Sequence, residues 1–206
     1  MTSAVICDFG GVLTTPLIDS FAAYQEHSGV ALEDLGRAMQ SAYERHGEHP
    51  LYQLEKGQIT ESDFLARLEA ELDGVKLENL REVYFGTLHP NRAMIDFMRT
   101  VREGGLRTAL CTNNVREWEP LWRSKLPEID EIFEVVVDSA FVGARKPERE
   151  IYDITRERLG GVPAEECVFI DDNELNCNAA EELGMRAVHF READQAIAEV
   201  ERALEA

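Results

Sequence analysis

A carboxylate at the end of an apolar run is the first candidate for chemistry in this sequence. Asp8 follows the apolar residues 5–7 and is itself followed closely by Gly10 and Gly11. Glycines at such a place let the backbone turn sharply and approach a ligand closely. Asp8 is therefore a candidate nucleophile or metal ligand, although an ordinary aspartate in a strand-to-helix turn would give the same pattern.

Two further carboxylates, Asp171 and Asp172, follow the apolar residues 167–170 directly. Adjacent carboxylates at the end of a buried strand repel one another, and a divalent cation would relieve that repulsion. Hard oxygen ligands favour magnesium. Helix N-capping by aspartate explains one of the two acids, but it explains poorly why both stand together.

Neutral and cationic donors follow two other apolar segments. Thr112 and Asn113 come after the run 107–111, and their hydroxyl and amide groups can hold phosphoryl oxygens. Lys146, just before Pro147, could offset the charge of a phosphate. The alternatives are a plain turn or helix cap for the first pair and a solvent-exposed lysine in a loop for Lys146.

The elements that must position these side chains form an α/β pattern. Short apolar runs alternate with segments of helical period, which is typical of a parallel sheet with crossover helices. The predicted strands are Ala4–Cys7, Arg107–Cys111, Val135–Val137, Cys167–Ile170 and Ala187–Phe190. Ligands of open α/β sheets bind at the carboxyl ends of the strands, so we expect a Rossmann-like core that gathers the candidate residues at one edge.

Residues 17–86 contain no predicted strand, and we interpret them as an all-helical cap inserted into a core formed by residues 1–16 and 87–206. Thr60 and Asp63 have the spacing of a capping box that opens one cap helix. Apolar residues at helical spacing mark four cap helices: Leu17, Phe21 and Tyr24; Leu35, Ala38, Met39 and Ala42; Phe64, Leu65, Leu68 and Leu72; Leu77, Leu80 and Tyr84.

Other conspicuous side chains have simpler interpretations. His46, His49 and Tyr52 could reach a substrate from the cap, but a solvated loop is the favoured interpretation. Trp118 and Trp122, spaced by four, fit one helix face and indicate packing. The four cysteines show no zinc-ligand spacing and are expected to be buried thiols.

Composition restricts the partners. The 206 residues carry a formal net charge of −19, which repels nucleic acids and anionic lipid surfaces. No apolar run approaches the roughly 20 residues that cross a bilayer, and the start of the sequence does not resemble a secretion signal. We therefore expect a cytoplasmic protein that binds a small phosphorylated metabolite rather than nucleic acid or membrane. The sequence leaves monomer and homodimer open.

In order and spacing, Asp8, Thr112, Lys146 and the Asp171-Asp172 pair resemble the haloacid dehalogenase (HAD) superfamily. The match is with its phosphatase-rich branch, whose helical cap follows the first strand, and it covers essentially the whole chain. Similar members include sugar-phosphate phosphatases and the phosphatase domain of soluble epoxide hydrolases. The resemblance implies an HAD-like fold and hydrolysis of a small phosphate monoester such as a sugar phosphate.

The resemblance also implies a role for each matching residue. Asp8 would attack phosphorus and form a phospho-aspartyl intermediate, while Thr112, Asn113 and Lys146 would hold the transferring group and Gly10 would lie beside it. Mg²⁺ would be bound by Asp8, Asp172 and the backbone carbonyl of Gly10. Asp171 would be a ligand through water or would orient the other ligands.

Gly10 departs from the pattern of most phosphatases in this superfamily, which place a general acid–base aspartate there. Such a group contributes about 10²–10⁴-fold to the rate. We therefore hypothesise a leaving group that needs little protonation, such as that of an anomeric sugar phosphate, or a proton delivered through water. The alternatives are a haloacid dehalogenase, a catalytically weak binding or regulatory protein of this fold, and a structural partner protein.

Overall fold

The computed structural model describes residues 2–205, and its core is a single parallel sheet of five strands in the order β3-β2-β1-β4-β5. The predicted α/β class is confirmed, and each predicted strand lies within one residue of an observed one. The strands are β1 Ala4–Cys7, β2 Arg107–Thr112, β3 Val135–Asp138, β4 Cys167–Asp171 and β5 Arg186–His189.

The central position of β1 follows from its sequence. All four of its residues are buried and apolar, as expected of a parallel strand covered by helices on both faces. Cys7 is in register with Leu110 of β2 and Ile170 of β4. Because these parallel strands end together, the residues that follow them meet at one edge of the sheet.

Twelve α-helices surround this sheet or form the insertion in the described part of the chain. They are α1 Leu17–Ser28, α2 Leu32–His46, α3 Pro50–Glu55, α4 Glu61–Glu71, α5 Leu80–Thr87, α6 Arg92–Glu103, α7 Glu119–Lys125, α8 Ile129–Ile132, α9 Ser139–Val142, α10 Arg149–Arg158, α11 Glu174–Glu182 and α12 Ala193–Glu205. None of the helices within residues 2–205 combines the length and apolar character needed to cross a membrane.

Helices α1–α5 follow one another between β1 and α6, with no strand between residues 17 and 87. An antiparallel bridge between Thr14 and Pro90 joins the two chain segments that lead into and out of them. We propose that the chain divides into a cap at 17–86 and a core at 1–16 and 87–206. One hydrophobic cluster nevertheless contains buried side chains from both parts, and a second cluster lies within the core.

Local signals in the insertion were partly predictable. The capping box is confirmed: the Thr60 side chain accepts from the Asp63 amide at 3.1 Å, and the Asp63 carboxylate accepts from the Thr60 amide at 3.1 Å. The expected loop around Tyr52 is wrong, because residues Pro50–Glu55 form a helix with proline in its first position, where its fixed φ suits a helix.

The two tryptophans are buried, as expected, but they do not share one helix. Trp118 ends a 3₁₀ turn, Arg116–Trp118, and Trp122 lies in α7. Proline at position 120 suits the first turn of α7 and separates the two elements. The four cysteines are buried and free, and burial raises the pKa of Cys111 to about 11, so its thiol stays protonated.

Candidate active site

Lys146 lies at the centre of the candidate site, between two carboxylates from different strands. Its Nζ is 2.8 Å from Asp8 Oδ1 and 2.6 Å from Asp171 Oδ2. Lys146 is 1 % exposed and Asp171 is completely buried, while Asp8 retains 8 % exposure. The Lys146 ammonium is therefore buried, and Asp8 is the more accessible of its two partners.

Asn113 positions the Lys146 backbone. Its Nδ2 donates to the Lys146 carbonyl at 2.9 Å, and its Oδ1 accepts from the Lys146 amide at 2.8 Å. This reciprocal pair joins the end of β2 to the loop before α10. Contact between Asn113 and a substrate stays a prediction, since one N–H of the amide is left for it.

Asp171 is held by donors that leave one oxygen for Lys146. Its Oδ1 accepts from the Asn173 amide at 2.9 Å and from Asn176 Nδ2 at 3.0 Å. The other oxygen accepts from Lys146. These contacts fix the Asp171 carboxylate and direct one of its oxygens at the lysine, whereas its role at a metal site stays a prediction.

Asp172 approaches the same site because Gly11 leaves room for it. Gly11 has a φ of +77°, a region that side-chain-bearing residues rarely adopt, and a Cβ there would overlap Asp172 Oδ2. Carboxylate oxygens of Asp8, Asp171 and Asp172 lie within 4.8 Å of one another. A cluster of three hard oxygen donors at this spacing fits a divalent cation such as Mg²⁺.

The electrostatics of the site also favour a divalent cation. Burial raises the pKa of Asp8 to about 7, and the charges of Asp171 and Asp172 add to this effect while Lys146 opposes it. Burial and the charge of Asp171 also raise the pKa of Asp172. Burial alone would lower the pKa of Lys146, but Asp171 and Asp8 raise it above its usual value. When all are ionised, the three carboxylates and one ammonium leave two negative charges, which a divalent cation would neutralise.

The space that an acid–base side chain would need at position 10 is filled from the cap. A Cβ on Gly10 would lie 2.9 Å from Leu17 Cδ1. Leu17 opens α1, the first cap helix. The missing proton donor is thus replaced by an apolar contact between cap and core.

A cavity of about 210 Å³ is lined by Phe9 and Gly10, the two residues that follow Asp8, and by Thr112, and it extends into the cap. Its walls are mostly aliphatic and aromatic side chains from both parts of the chain. They are Leu17, Phe21, Tyr24, Leu35, Met39, Leu51, Leu54, Phe64, Leu68, Leu77, Leu80, Tyr84, Phe85, Leu88, Val115, Trp118 and Trp122, with Glu55, Asn113 and Asn114 as the polar members.

Sequence reasoning missed the contacts through which the cap meets the core. Glu55 of α3 forms an ion pair with Arg145 at 2.5 Å, and Arg145 lies over the Tyr52 ring at 4.0 Å from its centroid. Lys56 pairs with Glu148 at 3.2 Å. The polar segment 55–57 and the basic pair at 145–146 were visible in the sequence, but nothing in their spacing showed that they face each other.

Comparison with known proteins identifies the family. Residues 2–184 match the haloacid dehalogenase-like hydrolases, and the chain belongs to this family. It is 28 % identical over 198 residues to a sesquiterpene phosphatase, AstK, of Aspergillus oryzae, covering 91 % of this chain and 89 % of that protein. It is 30 % identical over 193 residues to a phosphorylated carbohydrates phosphatase of Thermotoga maritima, covering 90 % and 83 %. The predicted resemblance to the phosphatase branch is confirmed.

The fold is also similar to that of an HAD family enzyme from Bacteroides thetaiotaomicron, solved in complex with magnesium and inorganic phosphate. The TM-score is 0.69 at 23 % identity, and the match covers 93 % of this chain and 95 % of that one.

Proposed function

We propose that this hydrolase is a magnesium-dependent phosphatase that cleaves a phosphate monoester through a phospho-aspartyl intermediate on Asp8. The observation that carries the proposal is the Lys146 ammonium, 2.8 Å from Asp8 and 2.6 Å from Asp171, beside the carboxylate of Asp172. Phosphoryl transfer requires mainly positioning and neutralisation of charge, and this arrangement supplies both. The phosphatases among its relatives support the same reaction class.

The reaction divides into two displacements. An Asp8 carboxylate oxygen attacks phosphorus, the bond from phosphorus to the leaving oxygen breaks, and the leaving alkoxide takes a proton from water because Gly10 offers none. Water then attacks the phosphorus of phospho-Asp8, giving up its proton to solvent, and the bond to the Asp8 oxygen breaks to release inorganic phosphate. A carboxylate nucleophile thus splits one difficult hydrolysis into two easier steps.

Other groups hold the phosphoryl oxygens during both steps. Lys146 offsets the charge of the transferring group, and Thr112 and the free amide N–H of Asn113 donate hydrogen bonds from the end of β2. When bound by Asp8, Asp172 and the Gly10 carbonyl, with Asp171 orienting them or acting through water, Mg²⁺ supplies neutralisation of the phosphate charge.

Removal of magnesium is expected to lower phosphate release by at least about 100-fold, because a metal at such a site supplies several kcal/mol of charge stabilisation. The measurement is release of inorganic phosphate from a panel of phosphate esters with Mg²⁺ and with excess chelator. A parallel series with 2-haloacids tests the dehalogenase alternative, in which Asp8 would attack carbon without a metal. Chelator-resistant phosphate release, or halide release, would contradict the proposal.

An aspartate at position 10 is expected to help most when Leu17 is also shortened. In Gly10→Asp alone the new side chain meets Leu17, whose Cδ1 is 2.9 Å from the Cβ position. In Gly10→Asp/Leu17→Ala, kcat for benzyl phosphate should rise at least about tenfold over Leu17→Ala, since general acid catalysis contributes 10²–10⁴-fold.

Phenyl and 4-nitrophenyl phosphate serve as the matched comparison, because their leaving groups need less protonation. The gain in kcat from the added aspartate should be smaller for phenyl phosphate than for benzyl phosphate, and smallest for 4-nitrophenyl phosphate. Equal wild-type rates for all three esters would contradict the view that the missing acid selects the leaving group.

A further inference from the structure

The cavity near Asp8 has mostly apolar walls, which restrict the substrates that it can bind. Its 210 Å³ are enclosed largely by leucine, phenylalanine and tryptophan side chains, and three of its few polar members, Thr112, Asn113 and Asn114, are consecutive residues at the end of β2. Because that end adjoins the nucleophile, the phosphoryl group belongs there. The leaving group of the ester then extends into the apolar part between cap and core.

Several polar atoms in the walls are already engaged within the protein, whereas the wall residue Trp122 has a buried Nε1 without a hydrogen-bond partner among residues 2–205. The Glu55 carboxylate pairs with Arg145, Trp118 Nε1 donates to Glu61 Oε1 at 2.8 Å, and the Tyr24 hydroxyl donates to the Glu78 carbonyl at 3.2 Å. A sugar would bring several hydroxyl groups into this space. Each hydroxyl without a partner costs free energy, so these walls disfavour a carbohydrate leaving group and favour a hydrocarbon.

A second observation restricts the acidity of the leaving group. The position next to the nucleophile where a proton donor would stand holds Gly10, and Leu17 occupies the space above it. An alkoxide leaving without a general acid is a poor leaving group. A phenolate is far better, because a phenol has a pKa near 10.

From these two observations we propose that the substrate is the phosphate monoester of an apolar phenol, with the aromatic ring and its substituents in the cavity between cap and core. This proposal rests on the phosphatase function proposed above. The size of the phenol follows from the volume of the cavity. Because a cavity of about 150 Å³ admits benzene, one of 210 Å³ accommodates roughly eight to ten carbon atoms.

The test uses 4-alkylphenyl phosphates, which vary in apolar size while the acidity of the phenol stays nearly constant. From phenyl to 4-propylphenyl phosphate, kcat/KM should rise about threefold to fourfold for each methylene buried and then level off once the cavity is full. Glucose 1-phosphate and glucose 6-phosphate should be at least about 100-fold poorer substrates, because their hydroxyls lose water without gaining partners.

A binding measurement makes the test independent of turnover. Wild-type protein is titrated calorimetrically with 4-propylphenol, the dephosphorylated product, and with glucose. We expect saturable binding of the phenol at one site and none of glucose. Met39→Trp, which places a ring in the cavity, should remove both the phenol binding and the chain-length effect, whereas Leu65→Trp, on a cap helix but outside the cavity walls, should retain them.

The outcomes separate this proposal from the function on which it rests. If no ester releases phosphate in a magnesium-dependent way, the phosphatase proposal fails, and binding of the phenol still decides whether the cavity is an apolar site. If glucose phosphates are hydrolysed as well as the aryl esters, or the chain-length series is flat, the aryl substrate class is wrong while the phosphatase proposal stands.

Discussion

Replacing Asp8 with asparagine is expected to lower phosphate release by at least about 10⁴-fold, because the amide cannot form the phospho-aspartyl intermediate. The shape of the side chain is almost unchanged, and the Lys146 ammonium keeps the contact with Asp171 that lies at 2.6 Å. The protein should therefore fold, so the loss is one of chemistry. Steady-state phosphate release from phenyl phosphate in the presence of Mg²⁺ measures this loss of activity.

The matched control is Asp96→Asn, which removes the same charge from an exposed position on α6 and should leave the rate unchanged. Rapid quench of the wild-type reaction followed by mass spectrometry should find a phosphoryl adduct on the peptide that contains Asp8, and this adduct should be absent from Asp8→Asn. Near-normal activity in Asp8→Asn would rule out Asp8 as the nucleophile.

The convergence of the catalytic candidates was predictable because it follows from strand geometry. Asp8, Thr112 and Asp171 each end or follow a buried parallel strand, and the register of β1 with β2 and β4 brings those ends together. An apolar run identifies such a strand from sequence, and the position of its carboxyl end then requires no further information. The same reasoning could not place Lys146, since it lies in a loop whose path depends on the two hydrogen bonds from Asn113.

The character of the cleft was not predictable, for an equally physical reason. Leu17, Met39 and Phe64 have the helical spacing of ordinary core residues, and in the structure they are packed in the cluster shared by cap and core. Whether such a face closes completely or leaves a cavity depends on how the cap helices cross, which spacing does not record. The hypothesis of a sugar leaving group rests on Gly10 and on the resemblance to sugar-phosphate phosphatases, and neither of these records the apolar walls of the cavity.

The contact between Leu17 and Gly10 connects two features that the sequence presents separately. The absence of a side chain at Gly10 was visible in the sequence, and so was an apolar residue at the start of the first cap helix. Their contact, 2.9 Å from the Cβ position to Leu17 Cδ1, means that the lost proton donor and the apolar cavity are parts of one arrangement. A change at either position is expected to alter the other's effect, as residues in contact usually do.

Replacing Lys146 with methionine is expected to destabilise the fold by about 3–5 kcal/mol near pH 7, because Asp8 and Asp171 would then be buried without their cation. The loss should be smaller in acid. Lys146 opposes the rise in the Asp8 pKa, so removing it raises that pKa further above its value in the unfolded chain. Stability of the variant is then retained at low pH, where the carboxyl is protonated in both states, and is lost as pH rises through the folded-state pKa.

Urea unfolding of wild type and Lys146→Met from pH 5 to pH 8 measures this difference. Lys146→Met/Asp171→Asn is the matched variant: it removes one of the two stranded charges, so it should recover part of the stability while phosphate release stays at least about 10³-fold below wild type. Mg²⁺ should stabilise Lys146→Met more than wild type, since it then meets the three carboxylates that lie within 4.8 Å of one another without a competing ammonium. A variant as stable as wild type throughout this range would show that Lys146 does not neutralise the buried acids, and with that result the electrostatic argument for the site would fail.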